Sequence, residues 1–281
     1  MERKSGHQAE QKMRPRAGRE AAAGREAEGE ARTGIENELI EGRNAVSEAL
    51  RAGRPIDKLY LAAGETDRTL GFLSTVARDR GIPVTECDRH KLDAMSQTHA
   101  HQGVIAVCAV QESCTVQDIL ERAREQGEDP FVVVCDEITD SHNLGAIIRS
   151  AECAGAHGVV IPKRRSAGLT AVVNKASAGA AEHLPVARVA NLRSALEELK
   201  AAGLWVYGTA ADGDHTLWQT DLSGPVALVI GSEGSGMGRL VRESCDFVVS
   251  LPMKGKISSL NASVAGAIVM YEIMRQRELK A

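Results

Sequence analysis

Three stretches rich in glycine and polar residues follow apolar runs, and they carry the side chains best suited to chemistry. They cover residues 136–155, 231–237 and 251–267. The candidates within them supply a carboxylate, a guanidinium, carboxamides and a hydroxyl, which can bind a polar ligand and orient a reacting hydroxyl group. The candidate catalytic residues are Asn143, Arg149, Glu233, Ser259 and Asn261.

Several common catalytic patterns are absent from these stretches. A dinucleotide site needs Gly-x-Gly-x-x-Gly and an acidic residue about 20 positions later, which 136–155 does not provide. A P-loop ends in Gly-Lys-Ser or Gly-Lys-Thr, whereas this chain has Gly236-Met-Gly. The consecutive Asp140-Ser-His cannot converge as a catalytic triad. The chemistry must therefore come from the glycine-lined loops.

In this order and spacing, the three stretches resemble the signature motifs of the SpoU/TrmH-type RNA ribose methyltransferases of the SPOUT superfamily. The resemblance covers about residues 38 to 275. It implies an enzyme that uses S-adenosylmethionine to methylate a ribose 2′-hydroxyl in RNA. The segment 40–46 and the chain length resemble the members that modify a guanosine of 23S ribosomal RNA. The alternatives are a tRNA ribose 2′-O-methyltransferase and a non-catalytic RNA-binding ribosome assembly factor.

The resemblance also implies that the last two stretches hold S-adenosylmethionine. Glycines let the backbone approach a ligand closely, and apolar side chains can enclose an adenine. Thr209 and Ala210 directly follow a predicted strand, which places them near the same ligand. The predicted cofactor-binding residues are Thr209, Ala210, Gly231, Gly234, Gly236, Leu251, Met253 and Leu260.

Arg149 is expected to act at the ribose hydroxyl or at a phosphate, with Glu233 and Asn143 holding the arginine and the ribose. The resemblance makes the arginine a candidate base, but a free guanidinium stays protonated up to about pH 12. Ser259 and Asn261 would complete the wall of the site. The alternative for Arg149 is a structural ion pair with a carboxylate such as that of its neighbour Glu152.

The elements that must position these residues alternate between short apolar runs and helical periodicity. This rhythm predicts a parallel sheet with helices on both faces, and ligands of such sheets bind beyond the carboxyl ends of the strands. We expect Asn143 to be the N-cap of the helix predicted at 143–154, and Ser258 or Ser259 to be the N-cap of the helix predicted at 261–274. Strands are predicted at 131–135, 158–161, 204–208, 226–230 and 247–251, and helices at 114–129, 143–154, 169–181, 191–202, 237–243 and 261–274.

The fold class expected is therefore α/β, in two domains. Residues 35–113 alternate strand and helix and form a small domain, which the resemblance makes an RNA-binding domain similar to ribosomal protein L30e. Residues 114–129 are the predicted linker, and 130–281 the methyltransferase domain, with the deep trefoil knot that the resemblance implies. Residues 1–34 hold eight basic and six acidic residues with almost no large apolar side chains, which predicts a disordered tail.

The net charge of −4 requires RNA to bind at a local basic face. The loop that contains Arg164 and Arg165 follows a predicted strand at the same sheet edge as the three stretches. The resemblance implies a homodimer built on the C-terminal domain, which would present two such loops. The predicted RNA-binding residues are Arg43, Gln102, Arg164, Arg165 and Lys254.

Cysteine usage and hydropathy bear on the compartment. The six cysteines show no Cys-x-x-Cys spacing, so neither a zinc site nor a disulfide framework is predicted. His99 and His101 form His-x-His, a weak metal pattern without further ligands. No apolar run is long enough to span a membrane and no signal peptide is evident. We expect a cytoplasmic protein that binds neither metal nor membrane.

Overall fold

The computed structural model describes residues 38–64, 67–109 and 114–280. The tail predicted over 1–34 lies outside these residues. Glu36–Ala281 form one compact unit, which contains two β-sheets. Among the described residues, no helix combines the length and the apolar character needed to cross a membrane.

The first sheet has the strand order β1-β4-β2-β3. β4 runs antiparallel to β1 and β2, whereas β2 and β3 are parallel. The apolar faces of α1 and α2 cover one side of the sheet, and the shorter α3 packs on the other. The elements are β1 Glu38–Glu41, α1 Arg43–Arg51, β2 Ile56–Ala62, α2 Arg68–Asp79, β3 Val84–Cys87, α3 Arg89–Met95 and β4 Val104–Cys108.

The second sheet has seven strands, all parallel, in the order β7-β6-β5-β10-β8-β11-β9. This confirms the predicted parallel sheet, while the trefoil knot stays a prediction. The elements are α4 Val116–Gln126, β5 Phe131–Cys135, α5 Ser141–Cys153, β6 Gly158–Pro162, α6 Ala171–Ala176, β7 Val186–Val189, α7 Leu192–Ala201, β8 Trp205–Thr209, β9 His215–Thr216, β10 Val226–Ile230, α8 Arg239–Glu243, β11 Phe247–Ser250 and α9 Ala262–Glu278.

Helices cover both faces of this sheet. Every residue of β5 and β10 is buried, because alternate side chains enter two different cores. One core lies between the sheet and α5, α6 and α9. The other lies between the sheet and α4 and α7. The two central strands therefore have fixed positions, and so do the loops that follow their carboxyl ends.

Three features of these elements add to or correct the sequence expectations. The predicted linker 114–129 contains α4, whose Ile119 is fully buried in the second core. Its side chain occupies the space that a Cβ atom at Gly158 would need. The helix expected over 169–181 ends with α6 and is followed by a 3₁₀ turn at Ala180–Glu182, because Ala178 and Gly179 have positive φ angles. β1, β7 and β9 were not expected.

The carboxyl group of Glu41, at the end of β1, is completely buried and anchors the segment before β4. It accepts hydrogen bonds from Ser96 Oγ (2.6 Å) and the Gln97 amide (2.6 Å), and from the amide (3.3 Å) and hydroxyl of Thr98. Burial alone raises the pKa of Glu41, but these bonds outweigh it and hold the pKa below its ordinary value. The ionised form of Glu41 therefore stabilises the fold.

Replacing Glu41 with Gln should lower the free energy of unfolding at pH 7 by about 2 kcal/mol, because an amide cannot accept from all four donors. The pKa of Glu41 is lower in the folded chain, so its contribution is complete above the unfolded-state pKa. It is lost as the pH falls through the folded-state pKa. Urea unfolding of both proteins at pH 7 and at about pH 3.5 measures the change. Glu125→Gln, at an exposed position of α4, is the control; a difference that does not shrink in acid would contradict this assignment.

Candidate functional site

A cavity of about 640 Å³ lies beyond the carboxyl ends of β8, β10 and β11. These strands are neighbours in the sheet, so the loops that follow them meet at one edge. All eight residues predicted to bind the cofactor line this cavity: Thr209, Ala210, Gly231, Gly234, Gly236, Leu251, Met253 and Leu260. The structure therefore brings this predicted set together around one space.

The loop after β10 forms one wall of the cavity and folds back on itself. The Ser232 amide donates to the Gly236 carbonyl, and the Gly236 amide donates to the Ser232 carbonyl, both at 3.0 Å. Gly234 and Gly236 have φ angles of 89° and 68°, which glycine adopts without strain. A Cβ atom at Gly231 would lie 2.3 Å from the Gly236 carbonyl carbon and from the Met237 nitrogen. Gly231 is thus required by the closure of the loop itself.

Asp136, which sequence reasoning did not include in the site, anchors this loop to β5. Its carboxylate accepts a hydrogen bond from the Gly238 amide at 2.7 Å, and its own amide donates to the Ile230 carbonyl at 2.8 Å. The side chain is buried, and burial raises the pKa of Asp136. The sequence does carry one signal for Asp136: it is a carboxylate that directly follows a strand whose residues are all apolar.

The opposite wall is the segment between β11 and α9. Residues 252–260 are exposed, and within the described part of the chain no main-chain hydrogen bond holds residues 251–260. Met253 and Leu260 are 38% and 40% exposed, which is high for apolar side chains that line a cavity. One wall is therefore fastened by hydrogen bonds and the other is not.

Three of the five predicted catalytic residues meet at the rim of the cavity. The Asn261 amide group donates to Asn143 Oδ1 (3.0 Å) and to Glu233 Oε1. Glu233 Oε1 also accepts from the Ala262 amide at 3.3 Å. These bonds join all three of the stretches first recognised in the sequence. Ser259 lines the same cavity two residues before Asn261.

Two expected helix caps are wrong. Asp140 caps α5 and accepts from the Asn143 amide at 2.8 Å, so Asn143 lies within the first turn and its side chain can reach Asn261. Asn261 caps α9 and accepts from the amides two and three residues later. Ser258 and Ser259 instead belong to the wall of the cavity. All of these residue types are good N-caps, so the local pattern could not choose between them.

Arg149 is not part of this cluster. It is exposed on α5, six residues after Asn143, which places it about 9 Å farther along the helix and on another face. Among the described residues it forms no hydrogen bond and no ion pair, so the alternative of a structural pairing with Glu152 is not observed. Glu233 and Asn143, expected to hold the arginine, bond to Asn261 instead.

Asp212 and Arg242 are further charged residues of the cavity wall that sequence reasoning missed. Their side chains form an ion pair at 2.8 Å. This hydrogen bond lowers the pKa of Asp212 and raises that of Arg242. The two residues are 30 positions apart in loops and a short helix, so no spacing rule indicates their contact.

The predicted RNA-binding residues fall into two groups. Arg43 and Gln102 are in contact: Arg43 Nε donates to the Gln102 carbonyl at 3.0 Å, and Arg43 also pairs with Asp67 at 2.8 Å. Arg164, Arg165 and Lys254 are exposed around the edge that holds the cavity. Arg165 lies 3.4 Å from the carboxylate of Glu137, which compensates part of the positive charge of this second group.

The His-x-His pattern has a structural explanation. His101 is buried; its Nε2 contacts Asp93 at 3.0 Å and its Nδ1 accepts from the Gly103 amide at 3.1 Å. Both ring nitrogens are therefore engaged within the protein. His99, by contrast, is exposed.

Comparison with known families gives two matches that together span most of the chain. Residues 130–271 match the SpoU rRNA Methylase family. Residues 39–114 match the family described as RNA 2′-O ribose methyltransferase substrate binding. The cavity and the cluster at its rim fall within the first match, and Arg43 and Gln102 fall within the second.

Similar proteins carry related names. YacO of Bacillus subtilis, named for the TrmH family of tRNA/rRNA methyltransferases, is 48% identical over 242 residues, which cover 86% of this chain and 97% of YacO. A tRNA/rRNA methyltransferase of Mycolicibacterium vanbaalenii is 46% identical over 264 residues, covering 94% of this chain and 84% of the relative.

The fold is similar to solved structures of such enzymes. The SpoU methyltransferase AviRb from Streptomyces viridochromogenes, in complex with the cofactor AdoMet, superposes with a TM-score of 0.72 at 30% identity. That match covers 86% of this chain and 90% of AviRb. An AdoMet-bound rRNA methyltransferase from Sinorhizobium meliloti gives a TM-score of 0.70 at 25% identity, covering 85% and 87% of the two chains.

Proposed function

Because the chain belongs to the SpoU rRNA methylase family, we propose that it transfers the methyl group of S-adenosylmethionine to a ribose 2′-hydroxyl in RNA. The observation that carries the proposal is the cavity at the sheet edge. Its walls are formed by the eight predicted cofactor-binding residues, and its rim carries the amide and carboxylate cluster. A cofactor and a polar substrate group could thus be held side by side.

The residues of the cavity fit S-adenosylmethionine. A volume of about 640 Å³ suits a ligand of this size. Leu251, Met253 and Leu260 offer apolar surface, and the glycine loop offers main-chain groups at close approach. When bound, S-adenosylmethionine supplies an electrophilic methyl group on a cationic sulfur. The chain must then hold the ribose hydroxyl in line with that methyl group, because orientation lowers the barrier by several kcal/mol.

The five polar residues divide into two roles in this proposal. Asn261, Asn143 and Glu233 form a fixed rim that positions the ribose, and Ser259 extends that wall. Arg149 is exposed and free of bonds among the described residues, so it can contact a phosphate or the hydroxyl of the RNA. The hydroxyl proton would pass to solvent water as the new oxygen–carbon bond forms, and an arginine that stays cationic would assist by stabilising the oxygen.

The substrate that we propose is ribosomal RNA, at a guanosine of the 23S molecule. The segment Ile40-Glu-Gly-Arg-Asn-Ala-Val and the chain length support it, and the names of the relatives include rRNA and tRNA. A tRNA ribose methyltransferase is the alternative substrate assignment. A non-catalytic assembly factor is the alternative class, and the presence of Asn143, Arg149, Glu233 and Asn261 argues against it.

We propose that the domains built on the two sheets have different functions. Residues 35–113 would bind RNA and residues 130–281 would bind the cofactor and catalyse transfer, which agrees with the ranges of the two family matches. We also propose a homodimer through the C-terminal domain. Val264 and Tyr271 on α9 are 48% and 45% exposed, and such apolar side chains suit a contact between subunits.

The first test of this function is methyl transfer from labelled S-adenosylmethionine to ribosomal RNA and, separately, to tRNA. Arg149→Ala should lower turnover at least about tenfold while cofactor affinity is kept, because its proposed contacts are with RNA. Arg149→Lys should recover little, since an ammonium group lacks the planar fork of a guanidinium. Arg193→Ala, at an exposed site of α7, is the control. Normal turnover without the arginine would remove Arg149 from the site.

The second test concerns the glycine loop. Gly231→Val should reduce the affinity for S-adenosylmethionine at least about tenfold, because its side chain would push apart the main chain at Gly236 and Met237. Gly71→Val is the control, since a Cβ atom at Gly71 meets open space. Calorimetry with the cofactor and circular dichroism of each variant compare binding with folding. Wild-type affinity in a folded Gly231→Val protein would place the cofactor elsewhere.

The third test concerns the basic loop after β6. Replacing both Arg164 and Arg165 with Ala should weaken RNA binding and flatten the log–log dependence of affinity on salt by about 1.5, since fewer counterions are released. Cofactor affinity should not change. Arg124 and Lys280, exposed near the amino ends of the strands, form the charge-matched control when both are replaced with Ala. An unchanged salt slope would show that RNA does not contact this loop.

A further inference from the structure

Arg54, in the turn between α1 and β2, joins the two sheets through a buried ion-pair network. Its Nη1 donates to Glu182 Oε1 at 2.7 Å, and its Nη2 donates to Glu38 Oε2 at 2.5 Å. The Arg54 side chain is only 7% exposed and that of Glu182 only 3%. Glu182 belongs to the 3₁₀ turn after α6, so the guanidinium bridges the proposed RNA-binding and methyltransferase domains.

The charges in this network depend on each other. Burial alone lowers the pKa of Arg54, but the bond to Glu182 and the charges of both carboxylates outweigh it and raise the pKa. Burial raises the pKa of Glu182 even though Arg54 donates to it. Removing the guanidinium would leave two carboxylates close together at a buried junction. Water can solvate the buried carboxylate of Glu182 only if the two surfaces separate.

The remaining contacts of the junction are mostly polar. Asn174 of α6, which is 2% exposed, donates to the second oxygen of Glu38 at 2.9 Å. Lys175 Nζ donates to the Ala100 carbonyl at 2.6 Å. His183 Nε2 lies 3.0 Å from Glu48 Oε2. These contacts fasten the first sheet and its loops to α6 and the turn that follows it.

No apolar core runs across this junction. Within the described part of the chain, the buried clusters of the first sheet contain residues up to Cys108, and those of the second begin at Val116. Interfaces of this kind between domains permit relative motion by default. Their geometry is set by polar contacts, and among these the Arg54 guanidinium is almost completely buried.

We propose that Arg54 is a positioning residue for RNA methylation: it fixes the RNA-binding domain against the methyltransferase domain, so that RNA held by both presents one ribose to the cavity. This inference rests on the proposed function. With the junction closed, the second contact with RNA becomes intramolecular and its orientation is fixed. With the junction open, each domain still folds and still binds its own ligand, but the two contacts no longer act together.

The test compares Arg54→Met with wild type and with Arg124→Met, which replaces an exposed arginine of α4 that lies 3.2 Å from Glu121. Arg54→Met should raise the KM for RNA about tenfold or more, because the two contacts lose their effective concentration. Its affinity for S-adenosylmethionine should stay within about twofold of wild type, since the cavity does not touch Arg54. Small-angle scattering should show a larger radius of gyration, and Arg124→Met should match wild type throughout.

Conservative variants keep the test decisive if Arg54→Met does not fold. Arg54→Lys retains a cation for one carboxylate and should recover part of the RNA affinity. Glu182→Gln keeps the shape of the turn and should show a smaller rise in KM. Combining Arg54→Met with Glu182→Gln should be no worse than Arg54→Met alone, because both act on one network.

The outcomes separate this inference from the proposed function. Wild-type protein that methylates no RNA contradicts the proposed function, whatever the variants do. Active wild-type protein with unchanged RNA KM and scattering in folded Arg54→Met and Glu182→Gln contradicts only the positioning role. Equal losses of RNA and cofactor affinity would mean that Arg54 serves general stability, and would also overturn the inference.

Discussion

One side-chain amide connects the parts of the site that lie far apart in the chain. Asn261 donates both of its amide hydrogens across the rim, to Asn143 and to Glu233, while its oxygen caps α9. The start of α9, the start of α5 and the glycine loop are thereby held in one arrangement. Because Glu233 also accepts from the Ala262 amide, the loop is attached to the main chain of the helix as well. A shift of any one of the three elements would disturb the other two.

The amide can act in this way only because the sheet beneath it is rigid. β5, β10, β8 and β11 are adjacent parallel strands, and the residues of β5 and β10 are buried on both faces. Their carboxyl ends cannot shift without disturbing two cores. The hydrogen bond from the Gly238 amide to Asp136 holds the residues that follow β10 against the end of β5, so the rigid region extends beyond the strands. Side chains that are more than 100 positions apart in the sequence are thus placed within hydrogen-bonding distance.

Electrostatics around the site is local. The chain carries a net charge of −4, and several of its cations are already paired, as Arg43 is with Asp67 and Arg242 with Asp212. RNA phosphates must therefore compete with internal carboxylates at some positions and find exposed cations at others. A surface of this kind favours one orientation of a polyanion over general attraction.

The long apolar runs made most of the second sheet predictable. Phe131–Cys135 and Val226–Ile230 have the bounds expected, because five consecutive buried residues leave little choice of period. β9 was missed because it has only two residues, and β1 and β7 because charged residues interrupt their short apolar runs. The caps of α5 and α9 could not be chosen locally, since the choice depends on bonds to distant residues. The contact of Asp212 with Arg242 and the junction at Arg54 have no sequence signal at all.

The two walls of the cavity have a kinetic consequence. The glycine loop is closed by its own main-chain hydrogen bonds, so a ligand that reaches it meets a surface that loses little conformational entropy. Within the described part of the chain, residues 251–260 have no such bonds, so they would lose entropy on contact with a ligand. Encounter should therefore be governed by the glycine loop, and residence time by residues 251–260. Substitutions in 251–260 would then change the dissociation rate more than the association rate.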